Sequence, residues 1–379
     1  MSSSCLPDEL VIEILSYVAV KPLMRFKCVS KVWYHFISYD SSFAKLHFNR
    51  STNADSRFEN SSIIFYDTDN RFFTADCNAL DNESTFKELI PLFDKSDYSI
   101  IGSYSGLVCL ANKMNPKESS DMYIWNPCTR DCISIPLPSL PSDLPPFEDL
   151  KQGFGFSYHR ESNEYMLVMI LSEWDTCSYI FVFTPGKGLW EFYKISYYLV
   201  CCNRSNIFVN GALHWIANAP GEEYLIVSLN IKDDVFQEIL PPPLRIEDIN
   251  TIEVCDLNGM LCVTCSERDL HKEEFHIWVM KEYGVDSSWI KQYVFEDLDF
   301  PFELEPLYIT DDGKLLAKDD SLKKLIMFNT NSNPEHEIFS HSLHQVYPYV
   351  RTLASLEFES ATEELKLEDH GKQEEKGNI

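Results

Sequence analysis

A strand–turn–strand pattern returns along this chain at nearly even intervals, and that periodicity constrains the fold more than any other feature. Residues 122–126 and 131–136 form one copy. The same shape recurs at 179–183 with 189–193, 224–229 with 235–239, 275–279 with 288–293, and 325–328 with 335–339. The turns fall near 126, 184, 230, 281 and 329, so the spacing is 46 to 58 residues. Residues 63–66 and 71–73 read as a sixth hairpin. A second series of turn signals precedes most of these: Ser105-Gly106, Asn210-Gly211, Asn258-Gly259 and Asp312-Gly313. Such dipeptides accept the positive φ that tight hairpins demand. Two turns in each unit of about 50 residues give four strands per unit, the signature of a propeller blade. Six hairpins over 60–355 predict an all-β ring of six blades. Residues 346–356 have no following hairpin, so they are expected to return and close the first blade.

Residues 1–50 follow a different period. Leu6, Leu10, Ile14 and Leu15 recur at helical spacing, with Pro7 suited to the first helical position and Asp8 and Glu9 opposing the dipole. Pro22 starts a second helix carrying Leu23 and Phe26, and Ser30 caps a third with Trp33, Phe36 and Ile37 on its apolar face. Three short helices cannot bury a self-sufficient core, so this module must complete itself against a partner or the adjoining ring. Charge divides at the same place. The first fifty residues carry six basic and four acidic groups, a net of +2, which leaves −29 for the remainder of a chain whose total is −27. The predicted domains are therefore a helical module at 1–50, a propeller at 51–356 and a disordered acidic tail at 357–379 with eight acids against three lysines.

The helical segment resembles an F-box. Leu6-Pro-Asp-Glu-Leu10, Ile14-Leu15, Lys21-Pro-Leu23, Cys28-Val-Ser-Lys-Val-Trp33 and Phe36-Ile-Ser38 follow that family's pattern. F-boxes dock on the Skp adaptor of cullin ubiquitin ligases, and the resemblance implies that Leu6, Pro7, Leu10, Ile14, Leu15, Leu23, Val29, Trp33 and Ile37 form or support the docking face. Val18-Ala19 departs from the family's usual Leu-Pro, so a looser turn is expected there. The remainder is similar to the kelch-like propellers of plant F-box proteins, in particular the S-locus F-box and F-box-like group. The residues that carry this include Ser105-Gly-Leu-Val108, Ile124-Trp-Asn-Pro127, Gly153-Phe-Gly-Phe156, His276-Ile-Trp-Val-Met280 and the ending Tyr349-Val-Arg-Thr-Leu-Ala-Ser355. The resemblance implies a non-catalytic client receptor of a Skp–cullin–F-box ligase, and for an S-locus member a pollen protein of self-incompatibility that captures basic stylar ribonucleases. A general plant receptor for a stress or developmental client, and a scaffold that never delivers clients, remain open.

A surface this acidic repels phosphates, so nucleic acid is not expected as a ligand, whereas a basic protein client is. Acidic turns offer it a contact, foremost Glu296, Asp297, Asp299, Glu303 and Glu305. No apolar run suits a membrane span, and the first residues lack the charged and apolar regions of a secretory leader. The expected location is the cytosol or nucleus, with the twelve cysteines reduced. Cys262 and Cys265 with His271 and His276 are zinc-type residues. The two cysteines fall in a strand, however, where residues three apart face opposite ways, so neither metal nor other cofactor is expected. Gly102-Ser-Tyr-Ser-Gly106 lacks nucleophile-elbow spacing and reads as a strand-to-strand turn.

Overall fold

The computed structural model describes residues 6–51, 61–112, 121–159, 164–200, 207–296 and 304–356. Within those ranges it omits 68, 78–79, 81–85, 92–97, 186, 219–223, 231, 234, 245–248, 270–271, 311–312, 320–322, 330–336, 340–342 and 355. The predicted tail, Cys201-Cys202 and His271 lie outside the described residues.

Four helices open the chain: α1 (Asp8–Leu15), α2 (Val20–Phe26), α3 (Lys31–Tyr39) and α4 (Ser41–Ser51). Pro7 stands one position before the expected place, extended at φ −55°, and its carbonyl accepts from Leu10 and Val11. Pro22 lies in the first turn of α2, where a missing N–H costs nothing. Ser30 caps α3, its hydroxyl accepting from the Trp33 amide at 3.1 Å. The fourth helix was not among the three expected, and Asp40 caps it through the Phe43 amide at 3.0 Å. None of the described helices is long and apolar enough to cross a membrane.

The strands form six antiparallel sheets. Blade one holds β1 (Ser61–Asp67), β2 (Phe72–Asp76) and β3 (Lys87–Leu89). Blade two is β4 (Tyr98–Tyr104), β5 (Leu107–Asn112), β6 (Asp121–Trp125) and β7 (Cys132–Pro136). Blade three is β8 (Leu150–His159), β9 (Glu164–Glu173), β10 (Cys177–Thr184) and β11 (Leu189–Ile195). In blade four the inner position is shared by β12 (Tyr198–Leu199) and β13 (Ile207–Val209), both paired with β14 (Ala212–Asn218), and β15 (Tyr224–Asn230) and β16 (Phe236–Ile239) follow. Blade five is β17 (Ile249–Leu257), β18 (Met260–Asp269), β19 (Lys272–Met280) and β20 (Trp289–Glu296). Blade six is β21 (Leu304–Ile309), β22 (Lys314–Asp319), β23 (Lys324–Asn329) and β24 (Glu337–Phe339).

The last strand, β25 (Leu343–Val350), returns to pair with β1 and becomes the innermost strand of blade one. The ring is thereby closed by strand pairing between its two ends. The inner strands touch in turn: β25 with β4, β4 with β8, β8 with β13, β13 with β17, β17 with β21, and β21 with β25. Six apolar clusters fill the six gaps between neighbouring blades. The turn signals hold at the level of dihedral angles. Ser105-Gly106, Asn210-Gly211 and Asn258-Gly259 all place both residues at φ between 50° and 84°, the requirement of a tight hairpin.

Blades four and five also share a polar contact. His214 on β14 lies 2.9 Å from the Tyr283 hydroxyl, and burial pushes its imidazole down to about 4. An imidazole that resists protonation when folded but titrates near 6.5 when unfolded stabilises the fold above pH 6.5, and the benefit drains away below it. Urea melts should therefore show about 3 kcal/mol less stability at pH 4 than at pH 7 from this group. The His214→Gln variant should flatten that slope, and an unchanged slope would remove His214 as its cause.

Candidate functional site

The helical module resolves its apolar residues into two opposed sets. Leu15, Leu23 and Ile37 are buried together with Val20 and Phe43, and Trp33 packs edge-on against Phe26 at 5.8 Å. Leu6, Leu10, Ile14 and Val29 instead remain 54%, 49%, 55% and 60% exposed, and Pro7 beside them is exposed as well. Leu10 and Ile14 are one helical turn apart and line a single edge of α1, while Leu6 precedes the helix, before Pro7. Tyr17, Val32 and Tyr34 are further exposed apolar side chains on the module. The stripe read from the sequence thus has a structural half facing inward and an uncovered half facing out.

Among the described residues, the propeller packs on the inward side. After β25 the chain runs past the β4–β5 turn and inserts Leu353 into the core of the helical module, where Cys128 also packs. Asn126 holds that segment. It is fully buried, its amide nitrogen donates to the Ala354 carbonyl at 2.8 Å and to Thr352 at 3.3 Å, and its oxygen accepts from the Cys128 amide at 2.9 Å. Cys128 Sγ lies 3.3 Å from the Tyr349 hydroxyl, and burial pushes its thiol up, so it packs as a neutral side chain. Lys21 and Arg351 act on Lys87 across the same junction, and its ammonium is lowered first by burial and then by those two charges.

The fourth helix supplies the contacts that orient α1. Arg50 pairs with Glu13 at 2.7 Å, donates to the Glu13 carbonyl at 3.1 Å and to the Ser16 hydroxyl, and lies 4.3 Å over the Tyr17 ring. His47 bonds the Val18 carbonyl at 2.8 Å, with its pKa lowered by burial more than that bond restores. This contact pins the Val18-Ala19 turn, where the departure from Leu-Pro had suggested looseness. A Ser/Asp-capped start at Asp40-Ser41 was the sequence signal for α4. Its buried face mixes Phe43 and Phe48 with the polar His47 and Arg50, which masks the apolar stripe.

Of the five acidic residues expected to meet a client, only Glu296 and Glu305 lie among the described residues. Asp297, Asp299 and Glu303 lie outside the described residues, and Glu296 is the last residue of β20. Glu305 is not in a turn. It stands in β21 opposite Lys318, with carboxylate and ammonium 3.7 Å apart and both largely buried, so its charge is directed at that lysine.

A small helical docking module fixed to a six-bladed propeller is the class that this architecture defines. Comparison with known families places the chain within it. Residues 3–45 match the F-box domain and residues 60–355 match the F-box associated beta propeller domain, so the chain belongs to the F-box proteins with that propeller. An F-box/kelch-repeat protein of Arabidopsis thaliana is 27% identical over 364 residues, covering 92% of this chain and 95% of its own length. The F-box protein CPR1 of the same plant is 25% identical over 359 residues, covering 86% and 82%. A crystal structure of TolB from Acinetobacter baumannii superposes over 82% of this chain and 72% of its own at a TM-score of 0.43 and 9% identity, too low to bear on function. The F-box domain implies binding to the Skp adaptor and, through it, membership of a cullin ligase.

Proposed function

We propose that this protein is a non-catalytic receptor that presents a basic client protein to a Skp–cullin–F-box ligase in the cytosol or nucleus. The observation that carries the reading is the exposure of the apolar side chains of Leu6, Leu10, Ile14 and Val29 on a module whose core is completed by Leu353. The family's adaptor contact accounts for such a surface, and burying it stabilises the complex by about 1.5–3 kcal/mol per side chain.

The client belongs at the other end of the ring. The helical module sits where β4 turns into β5 and β6 into β7. Strands alternate in direction, so the β9–β10 turn lies at the far end, where exposed Trp174 has its ring 5.2 Å from that of Tyr198, and β20 ends and β21 begins at that end too. A net charge of −29 beyond residue 50 favours a basic client by long-range attraction. The receptor's contribution is then proximity, holding client lysines near the charged ubiquitin carrier. The Arabidopsis F-box proteins named above give no support to stylar ribonucleases in particular, so the proposed client is a basic protein.

Ubiquitinated-protein profiling with and without the chain tests this. Proteins that accumulate on its loss should be basic. A purified one should bind at least about tenfold more weakly at 500 mM than at 50 mM salt, because the screening length shrinks about threefold. Salt-independent binding would overturn the electrostatic part, and delivery of no protein at all would leave a scaffold.

A further inference from the structure

Blade five carries a polar cluster that the docking reading leaves unused. Cys265 on β18 and His276 on β19 are direct cross-strand partners, and Glu267 and Glu274 are the next such pair on the same face. This face packs on blade four through Ile252, Val263 and Trp278. Cys262, three residues before Cys265, points to the other face and joins the cluster with blade six. Spacing along the strand therefore hides what pairing across strands brings together. Cys265 and His276 are completely buried, while Glu267 keeps 22% exposure and opens the cluster to solvent.

The atoms of this cluster are arranged as a ligand set. Cys265 Sγ, a Glu267 oxygen and a His276 nitrogen lie within 4.8 Å of one another. His276 Nε2 is 2.9 Å from Glu274, and Nδ1 is 3.3 Å from Glu267 Oε1 and 3.2 Å from Lys291 Nζ. With Nε2–H donating to Glu274, the Nδ1 lone pair is aimed into the cluster, where the Lys291 ammonium donates to it. We propose that Cys265, Glu267 and His276 form a site for a zinc-class divalent cation, with Glu274 orienting the imidazole and Lys291 as the displaceable occupant.

Several independent features support this assignment. Zinc bonds of about 2.0–2.2 Å to nitrogen and oxygen place tetrahedral ligands about 3.3–3.5 Å apart, which the Nδ1–Oε1 distance meets. Thiolate, imidazole and carboxylate together suit zinc better than magnesium or calcium. A carboxylate on the distal imidazole nitrogen is the usual support of a metal-bound histidine. Lys291 is exposed, and its head lies 5.2 Å from the Trp278 ring, so rotation of its stem toward solvent vacates the site without moving the sheet. A divalent ion then replaces one positive charge between two carboxylates. Water completes the coordination from the Glu267 side.

Binding breaks the Cys265 S–H bond and releases that proton to solvent. Burial pushes this thiol up to about 12. The titratable groups facing it are Glu267 on its own strand, His276 and Glu274 on β19 and Lys291 on β20. Ile252 on β17 and Ile216 and Ile226 of blade four are apolar. One proton released makes the apparent affinity rise about tenfold per pH unit through neutrality.

Cobalt(II) titration of the purified full chain, followed by thiolate-to-cobalt absorption, is the test. One equivalent should bind, zinc should displace it, and Cys265→Ser should abolish the band. Glu267→Gln should weaken binding about a hundredfold, and Lys291→Met should tighten it about tenfold or more. Absence of a band in the natural chain overturns the proposal, even if Lys291→Met binds, because the lysine would then be the permanent occupant. A band that survives Cys265→Ser overturns it too, by placing the metal on another cysteine.

Discussion

Replacing Leu10 and Ile14 together by aspartate is expected to lower affinity for the Skp adaptor at least about a thousandfold while leaving the helical module folded. Each side chain is half exposed in the isolated chain, so neither is needed for the module's own core. Each would lose about 1.5–3 kcal/mol of apolar burial in the complex, and an unpaired carboxylate forced into an apolar groove costs more. Leu23→Ala is the contrasting variant. Leu23 is fully buried, and its truncation should cost about 2–5 kcal/mol of module stability and weaken capture only through unfolding. Calorimetric titration with the adaptor, paired with thermal melts, separates the two behaviours. Full capture by the aspartate variant would overturn the assignment of this edge as the docking face.

Gly106→Ala should destabilise the propeller by about 3 kcal/mol or more, whereas Gly211→Ala, in the same kind of turn, should cost only about 1 kcal/mol. Both glycines sit at φ near +80°, so both substitutions carry the left-handed strain. Only at Gly106 does a methyl group meet the rest of the molecule: it would stand 2.2 Å from the Val350 carbonyl oxygen and 2.5 Å from Thr352 Cγ2. At Gly211 nothing lies within 4 Å. Chemical denaturation of the two variants under identical conditions measures the difference. Equal losses would mean that the segment after β25 yields easily, and that Gly106 is a turn residue like the others.

Hairpin chemistry made the propeller legible, because residues that tolerate positive φ are few and their positions recur. The closing strand was legible for a complementary reason: a stretch with strand character and no partner of its own had to pair elsewhere, and it pairs with β1 from Leu343 onward. Burial within the module was not legible, since Ile14 and Leu15 differ in orientation by a single residue and sequence spacing accommodates both on one stripe. Helix α4 carries Phe43 into the module's core, but it interleaves Phe43 and Phe48 with His47 and Arg50, which bond the turn after α1 and α1 itself, so its buried face does not read as an apolar stripe. The approach of Cys265 to His276 depends on register between two strands, and no spacing along one strand encodes that. Glu305 shows the same blindness from the other side, as an acid in an acidic run that turns inward to Lys318.

The closure of the ring by β25 gives the order of synthesis a physical meaning. Until residue 356 has left the ribosome, blade one lacks its innermost strand and the helical module lacks Leu353, so the two ends of the protein mature in the same event. A prematurely terminated chain would be left open at the ring and hollow in its head, with greasy surface exposed at both places.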